Sequence, residues 1–290
     1  EGSDYGMERN AWLEYEWDTA LEFCMMAVQI KQYTGADISR YEPMIRSCLR
    51  FFDEHYQYLA RQRGSKALDG NGKLIIYPGS GCETYKMAYN PSSTIAALKA
   101  LATAVGDTLL LSRLPEIPMT STVQGDTLIA PAVTWARIQN VETPQLYPVF
   151  PWRLYGMGRP RLDIARNTYL KDPHAIAMRS SKGWKQDNIW AACLGLTDEA
   201  VRLCCLKLAD GPYRFPAFWG PGFDWSPDHN WGGSGMIGLQ EMLLQEAPDG
   251  TPLLFPAWPR NVGVRFRLHL SAGRTIEAEL RDGQVLRAKD

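Results

Sequence analysis

What this chain of 290 residues lacks narrows its function first. Its 31 basic and 32 acidic side chains nearly cancel, to a formal net charge of -1, and the basic residues are dispersed. That leaves no electrostatic footprint for nucleic acid or for an anionic membrane surface, so neither is expected as a partner. No apolar run approaches the roughly 20 residues that span a bilayer, and membrane insertion is not expected. The six cysteines, at 24, 48, 82, 193, 204 and 205, show neither the Cys-x-x-Cys pairing of a zinc site nor the density of a disulfide scaffold. They read as free thiols packed as small hydrophobes. Histidine is scarce, and His55, His174 and His269 have no metal-ligand spacing, so they read as structural. There is no Gly-x-Ser-x-Gly elbow and no phosphate-cradling glycine loop after a strand. No cofactor is expected. The opening Glu1–Gly6 has no signal-type apolar stretch and no transit composition, and reads as a cut into a longer protein.

What is present is an ordinary globular composition, 45% hydrophobic and 22% charged. Apolar residues recur at helical spacing over 11–33 (Trp12, Leu13, Trp17, Ala20, Leu21, Cys24, Val28), with Gly35 as a stop signal. Ser39 and Glu42 have the spacing of a capping box, predicting a second helix that carries Met44, Ile45, Cys48, Leu49 and Phe52 and closes an antiparallel hairpin with the first. Glycines at 70, 72, 79 and 81 break the period over 69–90, apart from a short strand-like run at 74–77. Further helices are predicted over 93–105, 161–170, 188–194, 198–208 and 234–245. After Pro252 the period drops to two: Val264, Phe266, Leu268 and Leu270 alternate with polar residues, as do Ile276, Ala278 and Leu280, and Asp282-Gly283 marks a hairpin turn.

Two glycine-rich loops stand out. The stretch 213–233 packs seven aromatics among prolines and glycines with no period, and adds Asp224, Asp228, His229 and Asn230. Flat apolar faces beside hydrogen-bonding groups suit a sugar, although such a loop can equally complete a core. Glu83 and Asp228 each lie in a loop directly before a predicted helix, where catalytic groups concentrate. Inverting glycoside hydrolysis needs two such carboxyls, an acid and a base, roughly 6.5–9.5 Å apart.

Three segments resemble, in order, the catalytic barrel of glycoside hydrolase family 95, the α-L-fucosidase family. Ala11-Trp-Leu with Trp17 and Thr34-Gly35-Ala-Asp37 resembles a barrel helix of that family. Pro78-Gly-Ser-Gly-Cys-Glu83 resembles the end of its Pro-Ser-Thr-Ser-Pro-Glu motif, whose Glu is the general acid. Asp228-His-Asn-Trp-Gly-Gly233, followed by Glu241-Met-Leu-Leu-Gln245, resembles its Asp-Gly-Asn-Phe-Gly-Gly segment and the helix behind it, and that Asp is the general base. Leu253-Leu-Phe-Pro-Ala-Trp-Pro259 resembles the linker into a β domain. Where the family has a histidine-rich segment before its Leu-Tyr-Gly-Leu-Tyr-Pro run, this chain has Glu142-Thr-Pro-Gln145. The family's base-assisting Asn pair maps upstream of Glu1.

The resemblance implies a mainly α fold: an (α/α)6 toroid over 1–250, incomplete at its N-terminus, followed by a small β module over 251–290. It implies an inverting, exo-acting hydrolase of an α-L-fucosyl or related linkage in an oligosaccharide or polysaccharide, placed in the periplasm or secreted, with Glu83 as general acid and Asp228 as general base. Expected sugar contacts are Trp152, Arg153, Trp184, Gln186, Asp187, Trp219, Asp224, Trp225, His229, Asn230 and Trp231. Two alternatives stay open: a catalytically silent carbohydrate-binding relative, and a polysaccharide lyase, which sparse histidine and balanced charge disfavour.

Overall fold

The computed structural model describes residues 13–209 and 229–290, with side chains throughout except those of His229 and Arg287. The chain divides into two compact units, Glu1–Leu154 and Tyr155–Asp290.

In the first unit, α1 (Asp18–Thr34) and α2 (Glu42–Gln62) are followed by α3 (Ser92–Val105) and the short α4 (Thr108–Arg113). Helix α1 starts later than its periodicity predicts. Trp17 takes the N-cap position, and its ring packs edge-on against Phe51 and His55 of α2, 5.2 and 4.7 Å between centroids. Gly35 ends the helix in the left-handed conformation (φ 71°), as a C-cap glycine should. The expected capping box does not form: Ser39 bonds Asp37 instead, by both its N–H and its hydroxyl, and the side chain of Tyr41 at the N-cap makes no cap bond. An aspartate two residues before the serine offers a tighter turn than the helix end does.

Short strands occupy the stretches between helices. Strands β1 (Gly79–Gly81), β2 (Tyr85–Ala88) and β5 (Arg137–Ile138) form one antiparallel sheet, and β3 (Met119–Ser121) pairs with β4 (Thr127–Ile129). Glycine is required in β1 by close approach. A Cβ on Gly79 meets the Ala88 carbonyl oxygen at 3.2 Å, and one on Gly81 meets Pro144 at 3.3 Å.

The second unit holds α5 (Leu162–Lys171), α6 (Pro173–Ala177), α7 (Asp187–Cys193), α8 (Thr197–Leu208) and α9 (His229–Leu243). Then come the pair β6 (Leu244–Glu246) and β7 (Pro252–Leu254), and the three-stranded sheet β8 (Val264–His269), β9 (Thr275–Arg281) and β10 (Gln284–Lys289). The period-two pattern lands in this sheet in the register it predicts: Phe266, Ile276, Ala278 and Leu280 are buried, and Asp282-Gly283 turns with both φ angles positive. These side chains share one core with Leu243, Leu244 and Phe255, so the sheet is continuous with the end of α9.

The expected (α/α)6 toroid is overturned. The described residues contain nine helices interleaved with several small antiparallel sheets, and α4, α6 and α7 span six, five and seven residues. Six helical hairpins cannot be built from so few long helices. The chain of 290 residues is too short and too strand-rich for that toroid plus a separate β module. Periodicity marks apolar faces but does not count turns, and the glycine-rich and Thr-rich stretches between helices pair as strands rather than extending the helices.

Candidate acid cluster around Glu83

Glu83 sits in the tight connection from β1 to β2. Residues 82–84 bridge the paired Gly81 and Tyr85, and Thr84 N–H donates to the Gly81 carbonyl at 3.2 Å. Cys82 adopts φ 51° there, a left-handed conformation that costs a residue with a Cβ about 1 kcal/mol. Such an outlier is tolerated because the surroundings hold it: Cys82 is 3% exposed and its carbonyl accepts from Lys86 Nζ at 3.1 Å.

A second segment closes on this turn. The β2–β5 ladder continues past Ile138, where Gln139 N–H donates to the Thr84 carbonyl at 3.0 Å. Residues 140 and 142 then lie beside Glu83. Asn140 Nδ2 donates to Glu83 Oε2 at 2.9 Å. Glu142 Oε2 accepts from the Glu83 N–H at 2.7 Å and from the Thr84 hydroxyl at 3.1 Å, and the Glu142 N–H returns a bond to Thr84 Oγ1.

Beneath them lies Lys86, which is fully buried. Its ammonium donates to Ser80 Oγ at 2.7 Å and to the carbonyls of Cys82 and Glu14, and pairs with Glu16 at 3.6 Å. Asp18, on the first turn of α1, accepts from Thr94 at 2.6 Å and Ser93 at 2.9 Å. Burial, reinforced by the charge of Glu142, pushes the Glu16 carboxyl up to about 8, while Lys86 pulls it down. Burial lifts Glu142 to about 7, and the neighbouring Glu83 charge adds to the rise against the Thr84 hydrogen bond. Asp18 reaches about 6 by burial, against its two hydroxyl donors, and Glu22 about 7 by burial and the charge of Asp18. Burial also lowers Lys86. The common cause is burial, which strips each carboxylate of water; for Glu16 and Glu142 the neighbouring carboxylates add to the rise, and these two hold protons near neutral pH.

Trp152 and Arg153 follow in the same unit. Trp152 is 3% exposed and its indole N–H meets no acceptor among the described residues, while Arg153 lies over the Phe150 ring at 5.3 Å.

In the second unit another buried lysine organises the expected sugar contacts. Lys207 Nζ donates to the carbonyls of Ser181, Gly183 and Lys185, at 3.2, 2.9 and 2.8 Å, which fastens the loop carrying Trp184, Gln186 and Asp187 onto α8. The Lys207 carbonyl accepts from the indole of Trp231 on α9 at 2.6 Å. One residue therefore joins the 181–187 loop to the segment that begins with His229 and Asn230. Asp187 is 1% exposed and faces inward, pairing with Lys185 at 3.6 Å, and burial raises its carboxyl. Trp184 lies beside the Lys185 ammonium, 5.7 Å from ring to nitrogen, and Gln186 is half-buried. Asn230 is exposed and Trp231 buried. Asp228, Trp219, Asp224 and Trp225 lie outside the described residues, and for His229 only the backbone is described.

Sequence reasoning singled out Glu83 but not its neighbours Asn140, Glu16 and Lys86, and it met Glu142 only as a departure from the family's histidines. A groove of about 700 Å³ between α2 and α4 is elsewhere, and its charges are matched internally: Arg113 pairs with Asp53 at 2.5 Å, Arg46 donates to the Val105 carbonyl, and Asp107 caps α4. All six cysteines are free, and no group of three or more potential metal ligands occurs among the described residues. No described helix is long and apolar enough to cross a membrane. No family model matches the chain, and no curated protein matches it.

Proposed function

We propose that this protein is a glycoside hydrolase in which Glu83 protonates the leaving oxygen. The observation that carries the proposal is the company Glu83 keeps: a half-buried carboxylate on a tight turn, its Oε2 held by Asn140 and its peptide N–H by the Glu142 carboxyl. Hydrolysis of an acetal link needs a carboxyl that gives up a proton and a second that activates water. Asp228 keeps the role of general base that its segment's resemblance gives it. The chemistry of a site is separable from the fold that carries it, so the proposal rests on the cluster rather than on a barrel. The neutral aromatic and amide groups along 184–187 and 219–231 favour an uncharged sugar, and an α-L-fucosyl or related terminal residue is the substrate class.

The test is hydrolysis of aryl glycosides of L-fucose, L-galactose, L-arabinose and D-galactose, with the product anomer read by proton NMR. Glu83→Gln and Asp228→Asn are each expected to cut kcat at least about 100-fold while folding is unchanged. Full activity in either variant removes that residue from the mechanism. Measurable sugar binding without turnover in the wild type points instead to a binding protein.

A further inference from the structure

Glu83 has two carboxylate oxygens, and the segment that follows β5 treats them differently. The chain bends at Asn140 and Val141 after β5, and Asn140 and Glu142 both reach Glu83: one at its carboxylate, the other at its peptide N–H. The amide of Asn140 cannot turn over without loss, because its Oδ1 already accepts from the Val141 N–H at 2.8 Å. A flip would put an oxygen against Glu83 Oε2 and an NH2 against a backbone N–H, breaking both bonds.

We propose that Asn140 is the positioning residue for Glu83: its amide reserves Oε2 as an acceptor and so leaves Oε1 as the oxygen that carries the transferable proton. This rests on the reading of Glu83 as general acid. A proton on Oε2 would meet the Asn140 N–H donor head-on, whereas on Oε1 it meets no such conflict. In the reaction, the Oε1–H bond breaks as the glycosidic C–O bond breaks, the proton goes to the departing oxygen, and water adds to the sugar carbon while its proton passes to the base. Glu83 regains its proton from solvent. The same amide has a second effect, because a donor to the ionised form favours ionisation and so eases departure of the proton. Asn140 thus sets both the direction and the ease of the proton transfer without touching the sugar.

The test uses the full chain and two readouts. Carboxyl carbon NMR, with the Glu83 signal identified by its loss in Glu83→Gln, follows Glu83 directly. In Asn140→Ala its titration is expected to move up by about one pH unit, the worth of one hydrogen bond to a charged group. In Asn140→Asp, which adds a like charge, it moves further. On a hydrolysed glycoside, Asn140→Ala lowers kcat with KM little changed, and the basic limb of the pH profile moves up in step with the NMR titration. An unmoved Glu83 titration in a folded Asn140→Ala, checked by hydrogen exchange of the 79–88 hairpin, overturns the proposal. If the titration moves but the wild type hydrolyses no glycoside, Asn140 still orients Glu83, and it is the general-acid reading that falls.

Discussion

Replacing Glu142 by Gln isolates the electrostatic cost of the cluster, because Gln keeps an oxygen able to accept from the Glu83 N–H and the Thr84 hydroxyl while removing the charge. Burial and the neighbouring Glu83 charge lift the Glu142 carboxyl from its ordinary 4.5 to about 7. The folded state therefore binds a proton that the unfolded chain releases between those two values. Stability conferred by that proton is fully present below 4.5 and is lost as pH rises through 7. At about 1.4 kcal/mol per pH unit, the loss amounts to about 3 kcal/mol once both states are ionised. In Glu142→Gln nothing titrates at this position. The variant should match the wild type or fall slightly below it at pH 5, since an amide replaces a protonated carboxyl of nearly the same shape. By pH 8.5 it should be more stable by about 3 kcal/mol, and by more if losing the Glu142 charge also lowers the Glu16 carboxyl. The two compact units make a single global unfolding free energy a poor measure. Hydrogen exchange of the β1–β2 hairpin amides, converted to opening free energies at each pH, reads the affected unit alone. A difference between variant and wild type that stays flat from pH 5 to 8.5 would refute the claim that Glu142 is held protonated by its surroundings.

Lys207→Met removes the donor that three backbone carbonyls share, leaving them buried without it, and should cost about 3–5 kcal/mol of local stability. The loss should appear as faster hydrogen exchange over 180–187 and a weaker response of Trp184 fluorescence to sugars, with the 79–88 hairpin unaffected. Gly81→Ala places a Cβ 3.3 Å from Pro144, so the 142–146 segment must move a few tenths of an ångström away from the Glu83 turn. About 1 kcal/mol of destabilisation is expected, together with a fall in the Glu142 titration towards the usual carboxylate range as water enters; an unchanged titration would show that the cluster does not depend on this close contact.

The elements that were legible in the sequence are those whose signal is local. The period-two run over 264–280 became β8 and β9, Asp282-Gly283 became the turn from β9 into β10, and the left-handed Gly35 ended α1 where a glycine stop signal predicts. Where several local solutions compete, the reading failed. Ser39 has a capping-box partner in Glu42 but a nearer acceptor in Asp37, and the nearer one took it. The toroid failed for a larger reason: counting helices requires knowing where each stops, and α4 and α6 are too short for an 11-residue window to register.

Of the candidate cluster, only Glu83 stood out in the sequence. Glu83 stands out because it ends a glycine-rich run, a local signature, although strand β2 and not the expected helix follows it, whereas the groups around it come from far along the chain: Glu16 about 70 residues before it, Asn140 and Glu142 more than 50 after. Lys86 and Lys207 were invisible for the opposite reason. Each sits in an unremarkable strand or helix, and a lysine there is ordinarily solvated. Both are instead fully buried, and each turns its ammonium on the backbone carbonyls of the loop that carries the candidate residues, Glu83 in one unit and Trp184 to Asp187 in the other. A buried ammonium is costly unless every donor is used, and backbone carbonyls can use it only when the loop keeps one shape. The expense of burying the charge is therefore also the force that fixes the loop. In the first unit that same charge sits among the carboxyls it partly neutralises, so one side chain sets the geometry of the acid and limits how much negative charge surrounds it.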